Sequence, residues 1–187
     1  MVSGWWVASY LALWALVLTL AVVVVALARQ IGTLRLGPRG ALEIDDEGPP
    51  LGEAPEPVAA AALDGRELTV GGPGTAQVLL FASPGCRLCE EVLPALPALA
   101  AQHSLDPVVV TDLSPDEARS QYGRRRLGAP VIASAALAAS YRVPGTPFVV
   151  VLDRLGVVRA KGTVNNLEQF EGLIETAARR RAQAGEP

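Results

Sequence analysis

From Trp5 to Ala28 the chain carries no charged residue and is filled with Leu, Val, Ala and Trp; mixed polar and apolar patterning begins only well beyond it. A helix rising about 1.5 Å per residue makes that run about 36 Å long, against a hydrocarbon core of about 30 Å. The pattern predicts one transmembrane helix at 5–28, preceded by a short tail at 1–4. Trp5, Trp6 and Tyr10 lie near its outer end, where amphipathic rings favour the headgroup region. Two other readings are a cleavable signal peptide and a buried core helix. The first wants a basic segment ahead of a shorter apolar core, and Met1 to Gly4 holds neither Lys nor Arg. The second is rarely so long without interruption.

After the apolar run, residues 29–57 scatter Gly37-Pro38, Gly48-Pro49-Pro50 and Glu53-Ala54-Pro55-Glu56-Pro57 among charges. Such a stretch cannot bury enough apolar surface to fold alone and reads as a linker. A folded domain is expected over 58–178, with a basic, flexible tail at 179–187. Asp64-Gly65 marks a turn, and Arg66 to Val70 a short strand closed by Gly71-Gly72-Pro73-Gly74. Val78-Leu79-Leu80-Phe81 is a compact apolar run of the kind covered on both faces of a sheet. Ser83-Pro84-Gly85 breaks it. Leu88, Val92, Leu96 and Leu99 then recur at three- and four-residue spacing, which predicts a helix from Cys86 to about Gln102, kinked by Pro94 and Pro97.

Val108-Val109-Val110 predicts a second buried strand, and Ser114-Pro115-Asp116-Glu117 a helix start with proline at the first helical position. Strand, helix, strand, helix implies a parallel core with a right-handed crossover. The last third changes: Phe148 to Leu152, the turn Asp153-Arg154-Leu155-Gly156, and Val157 to Thr163 predict an antiparallel hairpin. Asn165 and Asn166 offer caps for a final helix with Leu167, Phe170, Leu173, Ile174 and Ala177 on one face and Arg179 to Arg181 at its C-terminal end. The fold class is therefore α/β: a βαβ unit plus a ββα unit around a mixed central sheet, the thioredoxin-like layout, preceded by one transmembrane helix.

Composition narrows the chemistry. The net charge of −3 mixes an acidic linker with a basic tail, and Arg124-Arg125-Arg126, the one compact basic cluster, reads as solvated surface, so no nucleic acid is expected as partner. One histidine and two cysteines cannot supply the four ligands of a structural zinc. Neither metal nor cofactor is expected. By the helical rise His103 stands about 25 Å from Cys86, too far to act as its base.

What remains is Cys86-Arg87-Leu88-Cys89 at the start of a helix. Unpaired amides and the helix dipole favour a thiolate at Cys86, and Arg87 adds a nearby positive charge. Cys89, one helical turn on, is placed to attack a disulfide formed at Cys86. A static disulfide across so small a loop would stabilise little by loop-closure entropy, and half of a metal site lacks its other half. Cys-x-x-Cys beside a βαβ pattern therefore reads as redox-active. Gly145-Thr146-Pro147-Phe148 adds a second signal, because proline has no amide to donate and sits poorly at the head of a strand. A cis Thr146-Pro147 bond resolves that conflict and turns the Thr146 backbone toward an extended substrate. A trans proline at the strand's first residue is the alternative. The candidate catalytic residues are Cys86, Cys89, Thr146 and Pro147.

Cys86 to Cys89, Thr146-Pro147 and the Asp64-Gly65-Arg66 turn resemble membrane-tethered thioredoxin-superfamily proteins of the TlpA and AhpC/TSA branch. More closely the chain resembles the MauD-like accessory proteins of methylamine dehydrogenase, through Ala28-Arg29-Gln30-Ile31-Gly32, Pro38 to Leu42, Gly52-Glu53-Ala54, Ser83-Pro84-Gly85-Cys86 and Lys161-Gly162-Thr163-Val164-Asn165-Asn166. Arg87 stands where that family's motif usually has proline. The resemblance implies a thiol–disulfide oxidoreductase that forms or corrects disulfides in a client, the cysteine-rich small subunit of an amine dehydrogenase. An upstream redox partner, membrane-embedded or not, is expected too, and the apolar run at 5–28 makes the lipid bilayer a partner. A redox-inert scaffold with the same fold is one alternative, and a peroxiredoxin-type antioxidant another. On orientation two arguments collide. Arg29, Arg35 and Arg39 follow the apolar run and favour a cytoplasmic domain by the positive-inside rule. Disulfide chemistry and the resemblance favour an extracytoplasmic domain on a bacterial inner membrane.

Overall fold

The computed structural model describes the backbone of residues 4–36 and 47–185, and the side chains of 4–23 and 47–185. Residues 1–3 of the expected tail, 37–46 of the expected linker and 186–187 lie outside the described residues. So do the side chains of residues 24–36, Arg29 and Arg35 among them. The chain divides into two compact units, Met1–Ile44 and Asp45–Pro187.

The first unit is one helix, α1 (Gly4–Leu36). Within it Gly4–Val23, 20 residues, is long and apolar enough to cross a bilayer, and none of that stretch is buried. The helix continues past Ala28, where the sequence pattern ended the span.

The second unit is built on a five-stranded sheet. In chain order its elements are β1 (Val58–Ala61), β2 (Glu67–Val70), β3 (Gln77–Phe81), α2 (Arg87–Val92), α3 (Leu96–Gln102), β4 (Asp106–Thr111), α4 (Pro115–Tyr122), β5 (Val131–Ala133), α5 (Ala135–Ser140), β6 (Phe148–Leu152), β7 (Val158–Thr163) and α6 (Leu167–Gln183). The strand order is β5-β4-β3-β6-β7, with β1 and β2 forming a separate hairpin. β3, β4 and β5 run parallel. β6 runs antiparallel to both β3 and β7. This is the thioredoxin-like arrangement expected from the pattern.

β3 alternates its side chains between two cores, as a strand covered on both faces must. Val78 and Leu80 join Val92, Leu96, Tyr122, Phe170 and Ile174 on the face covered by α2, α3, α4 and α6. Leu79 and Phe81 join Val70, Leu137, Tyr141 and Phe148 on the face covered by α5 and the hairpin. Another segment meets each sheet edge at one point, which shortens the exposed edges that invite aggregation. At one edge Ala62 bridges Ile132 and the Leu63 amide bonds the Val131 carbonyl at 2.8 Å. At the other, Gly52 and Glu53 bond both polar groups of Val158 at 2.9 Å.

That second pairing differs from the sequence expectation, which ran a free linker to Pro57. Gly48 and Pro49 are buried, so the end of the expected linker lies against the domain. The helix expected from Cys86 to Gln102 is two helices. Pro94 falls in the break and Pro97 in the first turn of α3, where its missing amide costs nothing. The expected flexible tail at 179–187 is helical to Gln183, and Arg181, only 5% exposed, donates to the His103 carbonyl at 3.1 Å. The caps follow the sequence. Ser114 and Glu117 form a reciprocal capping box on α4, and Asn166 accepts from the Gln169 amide at the start of α6.

Candidate functional site

β3 delivers the chain to the carboxyl end of the sheet, where Ala82, Ser83, Pro84 and Gly85 turn it into α2. Gly85 has φ +75°, a conformation that glycine adopts without strain. Cys86 is the N-cap of α2: its backbone is extended, and its sulfur accepts the Cys89 amide at 3.1 Å. Cys86 and Cys89 are joined as a disulfide, with Cα atoms 5.2 Å apart. The two cysteines differ in exposure. Cys86 is half-buried, whereas Cys89 is 1% exposed and packs into the core with Val92 and Leu96.

Phe148 pairs with Phe81 across the sheet, so the residues before Phe148 continue alongside those after Phe81. The Thr146-Pro147 bond is cis. Thr146 places its carbonyl oxygen 3.7 Å from the Cys86 sulfur, and the Pro147 carbonyl accepts the Val164 amide at 3.1 Å. The structure thus brings Cys86, Cys89 and Thr146 together beside Pro147. His103 ends α3 instead and faces no sulfur contact.

The charges around the pair are mostly committed to one another. Arg87 is 92% exposed and reaches Glu91 at 3.5 Å, which dilutes its influence on Cys86. Glu90, the residue after Cys89, takes Arg125 through both carboxylate oxygens at 2.7 and 2.8 Å, and the Arg125 guanidinium lies 5.9 Å from the centre of the Tyr122 ring. That contact gives one member of the arginine cluster a position against the cysteine-bearing helix. The polar group in direct contact with the Cys86 sulfur is instead the Cys89 amide of α2, at 3.1 Å.

One contact at the site lay outside sequence reasoning. Ser83 Oγ donates to Asp112 Oδ1 at 3.4 Å, joining the ends of β3 and β4. The signal for it is positional, since residues just past the carboxyl ends of adjacent parallel strands converge. Among the described residues no group of three or more His, Cys, Asp or Glu side chains is placed to hold a metal ion. A disulfide between a half-buried and a buried cysteine, next to the backbone carbonyl of Thr146, has the parts for thiol–disulfide exchange with a polypeptide.

No protein-family model matches the chain. It is 36% identical to the methylamine utilization protein MauD of Methylobacillus flagellatus, over 94% of this chain and 88% of that protein. Identity to MauD of Methylophilus methylotrophus is 35%, over 94% and 86%. To MauD of Paracoccus denitrificans it is 33%, over 90% and 87%. Among solved structures, StoA from Bacillus subtilis superposes with a TM-score of 0.54 at 17% identity, over 64% of this chain and 96% of that one. A secreted Mycobacterium tuberculosis disulfide oxidoreductase homologous to E. coli DsbE gives 0.51 at 20% identity, over 63% and 94%. These structural matches carry the fold alone.

Proposed function

The chain belongs to the MauD family of methylamine utilization proteins, and from that premise we propose that it is a membrane-tethered thiol–disulfide oxidoreductase working through Cys86 and Cys89. The observation that carries this reading is the unequal exposure of the two bonded cysteines, half-buried Cys86 against Cys89 at 1% exposure. A client thiolate reaches Cys86, forms a mixed disulfide with it and expels Cys89 as a thiolate. A second client thiolate then attacks the client sulfur of that mixed disulfide and expels Cys86 as a thiolate. Two electrons have passed from client to pair, and the client holds the new disulfide. The reverse sequence reduces a client disulfide and returns the pair to the oxidised state. The Cys89 amide, 3.1 Å from the Cys86 sulfur, favours charge on Cys86 in either direction. The Thr146 carbonyl beside it offers a backbone partner to an extended client segment.

The client in this reading is the cysteine-rich small subunit of a methylamine dehydrogenase, and the domain stands outside a bacterial inner membrane, anchored by α1. The test is made in cells with both cysteines replaced by alanine, grown on another carbon source and induced with methylamine. The small subunit is expected to carry free thiols that accept a maleimide-linked polymer and shift on a gel. A small subunit with no accessible thiols, at normal abundance, would contradict the assignment of client.

A further inference from the structure

Next to the cysteine pair, at the carboxyl ends of β3 and β4, a cavity of about 230 Å³ opens between the sheet and the loop that carries Thr146. Its floor is apolar: Phe81 and Val110 are 1% and 0% exposed, and Val143 is half-buried. Its mouth is polar, with Ser83 and Thr146 half-buried and Asp112 exposed. Among the described residues that line it, Asp112 alone carries a charge. Arg142, one position before Val143, lines a different hollow with Pro49 and Glu53. The cavity falls short of the roughly 300 Å³ at which small-molecule pockets begin, so it suits one side chain better than a free ligand. Thr146, whose carbonyl lies 3.7 Å from the Cys86 sulfur, is part of its wall. A polypeptide held at Cys86 would therefore pass its neighbouring residue over the opening.

We propose that this cavity is a specificity subsite that takes a lysine or arginine flanking the client's reactive cysteine. The inference rests on the exchange reading above. A long basic side chain lays its methylene stem on Phe81, Val110 and Val143 and brings its charged head to Asp112 at the mouth. An acidic side chain meets the Asp112 carboxylate, and an aliphatic one fills the floor but leaves that carboxylate without a counter-charge.

The probe is a set of symmetrical peptide disulfides, acetyl-Xaa-Cys-Xaa-amide, with Xaa as Lys, Leu or Glu, mixed with the reduced full-length protein in detergent. The Cys86 thiolate attacks one peptide sulfur, a mixed disulfide forms and one peptide thiolate leaves. Cys89 then attacks the Cys86 sulfur, the second peptide thiolate leaves, and two electrons have passed from the pair to the peptide. Rates are expressed relative to hydroxyethyl disulfide with the same protein. The Lys peptide is expected to react about tenfold faster than the Glu peptide. Asp112→Asn is expected to bring that ratio to within about twofold, whereas Asp106→Asn, at the opposite end of β4, removes the same charge and keeps the preference. Ala138→Phe, on the cavity wall, is expected to abolish the advantage of Lys over Leu. A Lys preference that survives Asp112→Asn, or none in the unaltered protein while hydroxyethyl disulfide is consumed, overturns the subsite and leaves the exchange reading standing. Inert hydroxyethyl disulfide overturns both.

Discussion

Replacing Asp153 with alanine is expected to cost about 3 kcal/mol of stability while leaving disulfide exchange intact. Asp153 is 2% exposed at the β6–β7 turn, where one carboxylate oxygen accepts the Leu155 and Val157 amides, each at 2.9 Å, and the other accepts Arg159 Nε at 2.6 Å. Alanine deletes all three bonds and leaves a guanidinium and two turn amides without their acceptor. Breaking a fully buried ion pair costs about 3 to 5 kcal/mol. The Arg159 side chain is 22% exposed and can turn toward water, which places the loss at the low end of that range. In a domain of this size the melting temperature should fall by about 10 °C. Adding Arg159→Ala removes the stranded charge and should recover about 1 kcal/mol. The turn follows Leu152 at one end of β6, whereas Thr146-Pro147 precedes Phe148 at the other, so the chemistry lies a strand's length away. Urea denaturation followed by circular dichroism, with hydroxyethyl disulfide turnover below the transition, separates the two effects. A loss under 1 kcal/mol, or a folded variant without exchange activity, would refute the argument.

Tyr141 is 1% exposed, its hydroxyl has no hydrogen-bond partner, and burial pushes its pKa up to about 12. Because the folded pKa exceeds the unfolded value of about 10, Tyr141 contributes stability in full below about pH 10 that is lost as pH rises toward 12. Tyr141→Phe should therefore be at least as stable at neutral pH and show a shallower alkaline loss in pH-dependent melts. Arg87→Gln should change the rate at which iodoacetamide alkylates Cys86 in the reduced protein by less than about twofold, since Arg87 is exposed and paired with Glu91. A larger change would show that Arg87 acts on Cys86 despite that pairing. The full chain should sediment with membranes and a chain lacking 5–28 should not; in spheroplasts added protease should degrade the domain before lysis, and shielding until lysis would place it in the cytoplasm.

The parts of the fold that could be read from the sequence are those whose signals are local. Val78 to Phe81 and Val108 to Val110 announce buried strands by composition, and Ser114-Pro115-Asp116-Glu117 announces a capped helix by spacing. β5 and α5 could not be read in this way. Val131–Ala133 is too short to show a period, and Ala135–Ser140 has Leu137 as its single fully buried side chain, so no apolar stripe marks it. β1 is Val-Ala-Ala-Ala, a poor strand former in isolation, and its pairing with β2 supplies what propensity does not. Likewise Gly52 and Glu53 look like linker until Val158 takes their polar groups. At the site, Cys86 at a helix start and Pro147 ahead of a strand follow from neighbouring residues. Asp112 beside Ser83 does not, because their meeting depends on β4 lying next to β3, a fact of strand order that no short stretch encodes.

If the pair cycles, one of its two thiols meets a client disulfide first, and the difference in burial points to Cys86. Full-length chains with Cys89→Ser or Cys86→Ser, reduced and then presented with a disulfide-bonded polypeptide, are separated on a non-reducing gel after the remaining thiols are blocked. Half-buried Cys86 should capture the client, and without Cys89 the mixed disulfide should persist, so adducts accumulate in Cys89→Ser and not in Cys86→Ser. Adducts on Cys89 in the Cys86→Ser chain alone would reverse the roles, and adducts in neither would leave a thioredoxin-like scaffold whose cysteines do not cycle.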